Sequence, residues 1–303
     1  MHPSKPIDRS RFAHLYPFRS HYLAINGLNY HYLDEGVGEP ILMLHGNPTW
    51  SFYYRRLVEA LSHSYRTIVP DHMGCGLSDK PHPRNYGYRL QDRIRDLDTL
   101  LEQLALTAPL TLILHDWGGM IGIGCALRHP ERIGRIIALN TAAFLPPQGK
   151  KIPWRLKLIR NLRFFAVPAV LGLNLFARSA LTMAVCKPLH PEVRAGLLAP
   201  YNSWHNRIAT LKFVQDIPLG PADVSYALVR EADRDIDTFR SRPLLVCWGE
   251  RDFVFDADYL AEWRQRFPHA EVHRFPDAGH YVLEDVPEKI VPLIADFLQR
   301  YPV

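Results

Sequence analysis

Residues 110–127 read LTLILHDWGGMIGIGCAL, and no other stretch limits the fold so strongly. Its first six residues form an apolar run of the kind buried on both faces of a parallel sheet. A sharp turn at Asp116 follows, then glycines and apolar residues in a helical pattern. A strand that runs straight into a helix closes no hairpin. It needs a crossover, and crossovers build α/β folds. The same alternation runs through much of the chain. YLAI, LNYHYLDEG, PILMLHG, YRTIVPD, LTLILHD, RIIALNT, PLLVCWGE and AEVHRFP read as strands. WSFYYRRLVEALS, YRLQDRIRDLDTLLEQLAL, DADYLAEWRQRF and PEKIVPLIADFLQRY carry apolar residues at helical spacing. Early strands without helices, then strict alternation, predict a mostly parallel eight-stranded sheet with an antiparallel start, flanked by helices.

The alternation stops after RIIALNT. Pro-punctuated helical pieces follow instead: KKIPWRLKLIRNLRFF, NLFARSALTMAVC and SWHNRIATLKFVQDI. These predict a helical cap over residues 143–224, inserted between a first core part, 1–142, and a second, 225–303. Such a cap would cover the carboxyl edge of the sheet, where open α/β sheets bind ligands. Trp154, Phe164, Phe165 and Phe176 read as the cap's own core, with one or two lining a pocket.

Residues 143–224 hold 11 Lys and Arg against 3 Asp and Glu, a net of +8, so the rest of a chain carrying +5 carries −3. Base-readout motifs and RNP-type aromatics are absent from the sequence, which argues against nucleic acid as a partner. Lys151, Arg155 and Arg160 sit among apolar residues as a snorkelling basic face. A solvated helix packed on the core is the first reading of that face; peripheral membrane contact is the other. The N-terminal residues contain no apolar signal core, and the longest apolar stretch is broken by Pro168, Asn174 and Arg178. Cys75, Cys125, Cys186 and Cys247 form no C-x-x-C and read as core thiols of a cytoplasmic protein.

Asp116 stands where the nucleophile elbow G-x-S-x-G carries its serine, in the strand–turn–helix context that motif needs. Taken alone, a strand-end Asp also fits as a cap on the next helix. Other polar residues fall at strand ends: Asn47 after His45-Gly46, Trp117 after Asp116, Asp252 after LLVCWGE, and His280 in FPDAGHYVLEDVPE. The order Asp116, Asp252, His280 is the nucleophile–acid–histidine order of this triad. Each has a plainer reading: Trp117 as a core aromatic, Asn47 as support for the turn before Pro48, Asp252 as a solvated loop carboxylate. His45 and His115 read as structural, and Asp71 as a turn brace. Gly74-x-Gly76 lacks the helix and acidic residue of a nucleotide fingerprint.

H-G-N-P-T-W-S, D-H-M-G-x-G-x-S-D, H-D-W-G-G and a terminal A-G-H occur in that order. With these motifs the chain resembles the haloalkane dehalogenase family of α/β-hydrolases over nearly its whole length. The resemblance implies Asp116 as nucleophile, His280 as base, and Asn47 and Trp117 as halide-stabilising donors. Backbone N–H groups of those two residues would form the oxyanion hole. One branch of the family carries its acid as Glu after the preceding core strand. Asn140 stands there, so Asp252 is the expected acid. CWGERDFVFD, AGHYVLEDVPE and NLFARSAL also resemble bacterial β-lactone decarboxylases of long-chain olefin synthesis. The expected activity is therefore haloalkane hydrolysis through a covalent Asp116 alkyl ester, with β-lactone decarboxylation on the same residues as the alternative. Epoxide hydrolysis would need two cap tyrosines, and residues 143–224 contain only Tyr201. The resemblance implies a small apolar or halogenated substrate, a halide ion, no cofactor, no metal, and a homo-oligomer.

Overall fold

The computed structural model describes residues 6–147 and 149–303. Eight strands form one sheet: β1 (His21–Ile25), β2 (Leu28–Glu35), β3 (Pro40–Leu44), β4 (Arg66–Pro70), β5 (Leu110–Asp116), β6 (Ile133–Thr141), β7 (Leu244–Gly249) and β8 (Glu271–Phe275). Their spatial order is β1-β2-β4-β3-β5-β6-β7-β8. β1 and β2 pair antiparallel through a tight Asn26-Gly27 turn, where both residues have positive φ, the geometry of a two-residue hairpin. β2 also runs antiparallel to β4, and every pairing from β4 to β8 is parallel. The expected sheet is the observed one.

β3, β5, β6 and β7 are buried at every position, which is why they read as continuous apolar runs. Each face of the sheet carries its own apolar layer. One layer includes α2 (Leu90–Leu104) and α3 (Trp117–Ala126); the other includes α1 (Arg55–Leu61) and the C-terminal helix.

Among the described residues no strand lies between Thr141 and Leu244. The helices there are α4 (Trp154–Asn161), α5 (Arg163–Ala166), α6 (Leu175–Met183), α7 (Pro191–Leu198), α8 (Ile208–Gln215) and α9 (Tyr226–Asp235). Three more belong to the final part of the chain: α10 (Ala257–Arg266), α11 (Val282–Asp285) and α12 (Pro287–Arg300). The single helix suggested by KKIPWRLKLIRNLRFF is two, broken at Leu162, whose φ of −104° and ψ of 83° are not helical. A π-helical turn at Val167–Gly172 and a left-handed Asn174 then separate α5 from α6. No single helix among the described residues is long and apolar enough to cross a membrane. The pair Arg163–Gly172 and Leu175–Met183 passes on composition but is bent by 76°.

Three expectations need correction. Trp154, Phe164 and Phe165 are exposed and are not the core of this segment; only Phe176 packs against it, half-buried. That core is Ala166, Val170, Leu171 and Leu211. Trp154 opens α4, which has no buried residue, and on α5, which carries Phe164 and Phe165, only Ala166 is buried. Cys186 is exposed, whereas Cys75, Cys125 and Cys247 are buried. It lies just past α6 in a loop pinned by its backbone N–H to Asp285 Oδ1 (2.9 Å), not in a packed helix. Arg160, grouped by sequence with the snorkelling cations, instead pairs with Asp223 and donates to the Ile217 carbonyl (2.8 Å).

Candidate active site

The carboxyl ends of β3, β5, β7 and β8 bring the site residues together. β5 ends at Asp116, held at φ 51° and ψ −124°, a conformation costly for any residue with a Cβ. A register shift between His115 and Asp116 pairs Asp116 with Thr141, and the Thr141 hydroxyl donates to the Asp116 carbonyl (2.5 Å). Both neighbouring elements come very close. A Cβ on Gly46 would stand 2.0 Å from Asp116 Oδ1, and one on Gly118 would stand 2.0 Å from the Leu44 carbonyl oxygen. Glycine there lets the loop after β3 and the start of α3 close on the carboxylate.

The Asp116 side chain is buried and points into a polar cluster. Its Oδ1 accepts from the Asn47 backbone N–H (2.7 Å), and its Oδ2 lies 3.6 Å from His280 Nε2. His280 Nδ1 is 2.7 Å from Asp252 Oδ2. Burial raises the Asp116 carboxyl above the usual carboxylate value; His280 and the backbone N–H groups of Trp117 and Asn47 oppose but do not cancel it. Burial pulls the His280 imidazole down, but the Asp252 carboxylate, its hydrogen bond and Asp116 outweigh it and leave it raised. The cluster thus offers a desolvated carboxylate beside an imidazole whose far nitrogen is fixed by an acid.

Sequence reasoning treated Asn140 only as a missing acid. Its Nδ2 donates to Asp252 Oδ2 and to the Gly249 carbonyl, both at 3.0 Å, and its Oδ1 accepts from the Gly249 N–H (2.8 Å). Asp252 Oδ1 accepts from the Val254 N–H (2.7 Å). The acid is therefore held from three sides. Phe255 stacks on the other side of the site, its ring 5.9 Å from the His280 ring and 21° from parallel.

Asn47 and Trp117 line the same pocket as Asp116 and His280. The Asn47 Nδ2 donates to the Thr210 carbonyl (3.1 Å), so of its two amide hydrogens one holds the loop to α8. Trp117 is nearly buried, its ring 5.3 Å from that of Phe213. Behind them, His45 and His72 brace the loop. His45 Nδ1 faces the Gly46 carbonyl (2.8 Å), and its Nε2 accepts from the His72 backbone N–H (3.0 Å). Burial keeps both imidazoles below their usual pKa, which suits a scaffold role. His115 Nε2 contacts the His280 carbonyl (2.9 Å). Asp71 accepts from the N–H groups of Ser51 (2.7 Å) and Leu77 (2.8 Å) and pairs with His31, bracing its turn as expected.

The pocket measures about 670 Å³. Asp116, Trp117 and His280 lie on its sheet side; Ile159, Val170 and Phe176 from the helical segment make an apolar wall opposite. A volume of that size takes a drug-sized or long-chain apolar ligand.

A family model described as alpha/beta hydrolase fold matches residues 39–287. A cis-3-alkyl-4-alkyloxetan-2-one decarboxylase of Shewanella oneidensis is 50% identical over 285 residues, covering 94% of this chain and 89% of that protein. A protein named haloalkane dehalogenase 2 from Mycobacterium bovis is 30% identical over 297 residues, covering 96% of this chain and 98% of that protein. Among solved structures, the haloalkane dehalogenase DatA from Agrobacterium tumefaciens superposes with a TM-score of 0.84 at 25% identity, covering 93% of this chain and 97% of that one.

Proposed function

The chain belongs to the alpha/beta hydrolase fold family, and from that premise we propose that it is a β-lactone decarboxylase. Its substrate would be a cis-3,4-dialkyl-oxetan-2-one, and its products a cis-alkene and carbon dioxide. The observation that carries this reading is the higher identity to the Shewanella decarboxylase than to the dehalogenase, over nearly the whole of each chain. It reverses the order favoured by the motifs alone. In this reading residues 143–224 act as the cap over core parts 1–142 and 225–303.

The chemistry follows from the cluster. Asp116 attacks the ring carbon that bears the ring oxygen, and the C–O bond breaks with inversion. The leaving group is a carboxylate, which the Asn47 amide and the Trp117 indole N–H would stabilise. Loss of carbon dioxide then breaks the C–C bond. Its electron pair forms the alkene and expels Asp116 from the adjacent carbon. Inversion followed by anti elimination turns a cis lactone into a cis alkene, and no water is consumed. His280, oriented by Asp252, stabilises the expelled Asp116 carboxylate. Two long alkyl arms fit an apolar cavity of about 670 Å³.

Haloalkane hydrolysis is the second reading, favoured by two neutral N–H donors beside a carboxylate that pairs with no Lys or Arg among the described residues, only with His280. There Asp116 displaces halide, and His280 activates water against the resulting ester. One experiment separates the two. Wild type and His280→Ala are given a cis-dialkyl β-lactone and, separately, a bromoalkane. The lactone should yield alkene in both, with no mass added to the variant. The bromoalkane should leave His280→Ala heavier by one alkyl group. Alkene yield no greater than that of Asp116→Ala would end the decarboxylase reading.

A further inference from the structure

Three consecutive residues at the corner between α4 and α5 meet three different surroundings. Arg163 lines a cavity of about 390 Å³. Phe164 is 100% exposed. Phe165 is 46% exposed and also lines the substrate pocket. Leu162, just before them, is 52% exposed.

The cavity beside this corner is walled by Arg89, Arg160, Arg163 and Lys212, with Asn161 and Gln215 completing it. Arg89 is satisfied by Asp216 (2.9 Å) and Arg160 by Asp223. Arg163 and Lys212 have no ion pair among the described residues. Partial burial, with Arg89 and Arg163 nearby, lowers the Lys212 pKa. Like charges gathered in one hollow are unfavourable unless an anion sits among them. Asp92 is the further carboxylate beside the hollow: it accepts from the Arg89 N–H (3.0 Å) and pairs with Arg95, not with Arg163 or Lys212.

Cations flanking an exposed apolar corner suit the boundary of a lipid layer, where basic side chains meet phosphates and rings enter the acyl region. At the other end of α4, Trp154 is 65% exposed, with the Arg155 guanidinium 4.6 Å from its ring centre. We propose that the α4–α5 corner docks this protein on an anionic lipid surface. Leu162 and Phe164 enter the acyl layer, and a lipid phosphate sits among Arg89, Arg160, Arg163 and Lys212. The docking is independent of which reaction the site performs. Because Phe165 and Trp154 also line the substrate pocket, docking puts a pocket wall against the acyl layer, and an apolar substrate reaches Asp116 without crossing water.

The test is flotation of the full chain with vesicles of phosphatidylcholine alone or with phosphatidylglycerol added. The protein should float with the anionic vesicles and progressively less as salt rises. Phe164→Ser should weaken binding at least tenfold, and Arg163→Gln with Lys212→Gln by about thirtyfold, the loss expected for two basic side chains near an anionic surface. All variants should keep the wild-type melting temperature, since none of these side chains is buried; Arg163→Glu is a charge-reversed check on the same point. Vesicle binding that is absent, or equal in wild type and variants, overturns the proposal. So does saturable binding of inorganic phosphate by a protein that ignores the vesicles. Self-association lost in Phe164→Ser, without flotation, would assign the corner to a second copy and overturn it as well.

Discussion

Asp252 gives one oxygen, Oδ2, to both His280 Nδ1 (2.7 Å) and Asn140 Nδ2 (3.0 Å). That sharing fixes the imidazole tautomer and aims Nε2 at Asp116. Asp252→Asn presents the wrong group to Nδ1, and bromoalkane turnover should fall about 10⁴-fold, as in a serine triad with the same change. Near-normal turnover, measured as bromide release, would remove Asp252 from the mechanism. The pKa shifts set a second expectation at this scale. Only neutral His280 can take a proton from water, and its pKa is raised. Ester hydrolysis is therefore complete above that raised value and is lost as pH falls through it. Nucleophilic attack needs only an ionised Asp116, whose pKa is raised from a much lower starting point. The acid limb for a bromoalkane should thus follow His280, above the usual imidazole value, and that for a lactone should follow Asp116, above the usual carboxylate value. Coincident limbs in the two pH–rate profiles would contradict the separate roles. Asp116, His280 and Asp252 were legible in the sequence because each follows a strand-like run in a recognisable order. Asn140 was not. Its partner Gly249 is 109 residues away, and only the β6–β7 pairing brings them together.

At the scale of elements, the site is a strand, a strained turn and a helix pressed against a second loop. Gly46 and Gly118 permit that pressing in different ways, so their alanine variants should differ in kind. Gly46→Ala directs its Cβ at Asp116 Oδ1, the atom of the proposed nucleophile. It should cut turnover at least ~100-fold, the cost of about 1 Å of misplacement, with little loss of melting temperature. Gly118→Ala directs its Cβ at the Leu44 backbone, which cannot swing aside. It should cost about 1–3 kcal/mol of stability, read from denaturant midpoints. The reverse pattern would mean that the elbow is not clamped as described. These elements were legible because burial on both faces makes the strands continuous apolar runs, distinct from the helical spacing between them. The helical segment was less so. Its helices and the interruption around Pro168 and Asn174 were visible, but the break at Leu162 was not, because apolar spacing does not record where a helix lacks a layer to pack on. The same lack left Trp154 and Phe164 outside, where an amphipathic reading had put them in.

Across the whole molecule, the site depends on segments far apart in the chain. The loop after β3 supplies Asn47, and the loop after β8 supplies His280. They are tied by a bidentate pair between Arg55 on α1 and Glu284 on α11, with contacts of 2.6 and 2.8 Å and both side chains almost fully buried. Arg55 also donates to the Phe52 carbonyl (3.1 Å) and lies over the Phe52 ring, so it anchors the turn that follows Asn47. A buried pair contributes little net stability compared with well-packed apolar groups, but removing one partner leaves a bare charge in the core. Arg55→Ala should therefore cost about 3–5 kcal/mol. Arg55→Met with Glu284→Leu should recover most of that. The surface pair Arg234–Asp235 provides the contrast: its arginine is well exposed, and Arg234→Ala should leave the unfolding midpoint at the wild-type value. Urea unfolding of the four proteins tests the set. If Arg55→Ala unfolds at the wild-type midpoint, the pair does not join the two loops, and the placement of His280 must be owed to the Gly279 N–H bond to Asp285 (2.7 Å) and the packing of α11 alone.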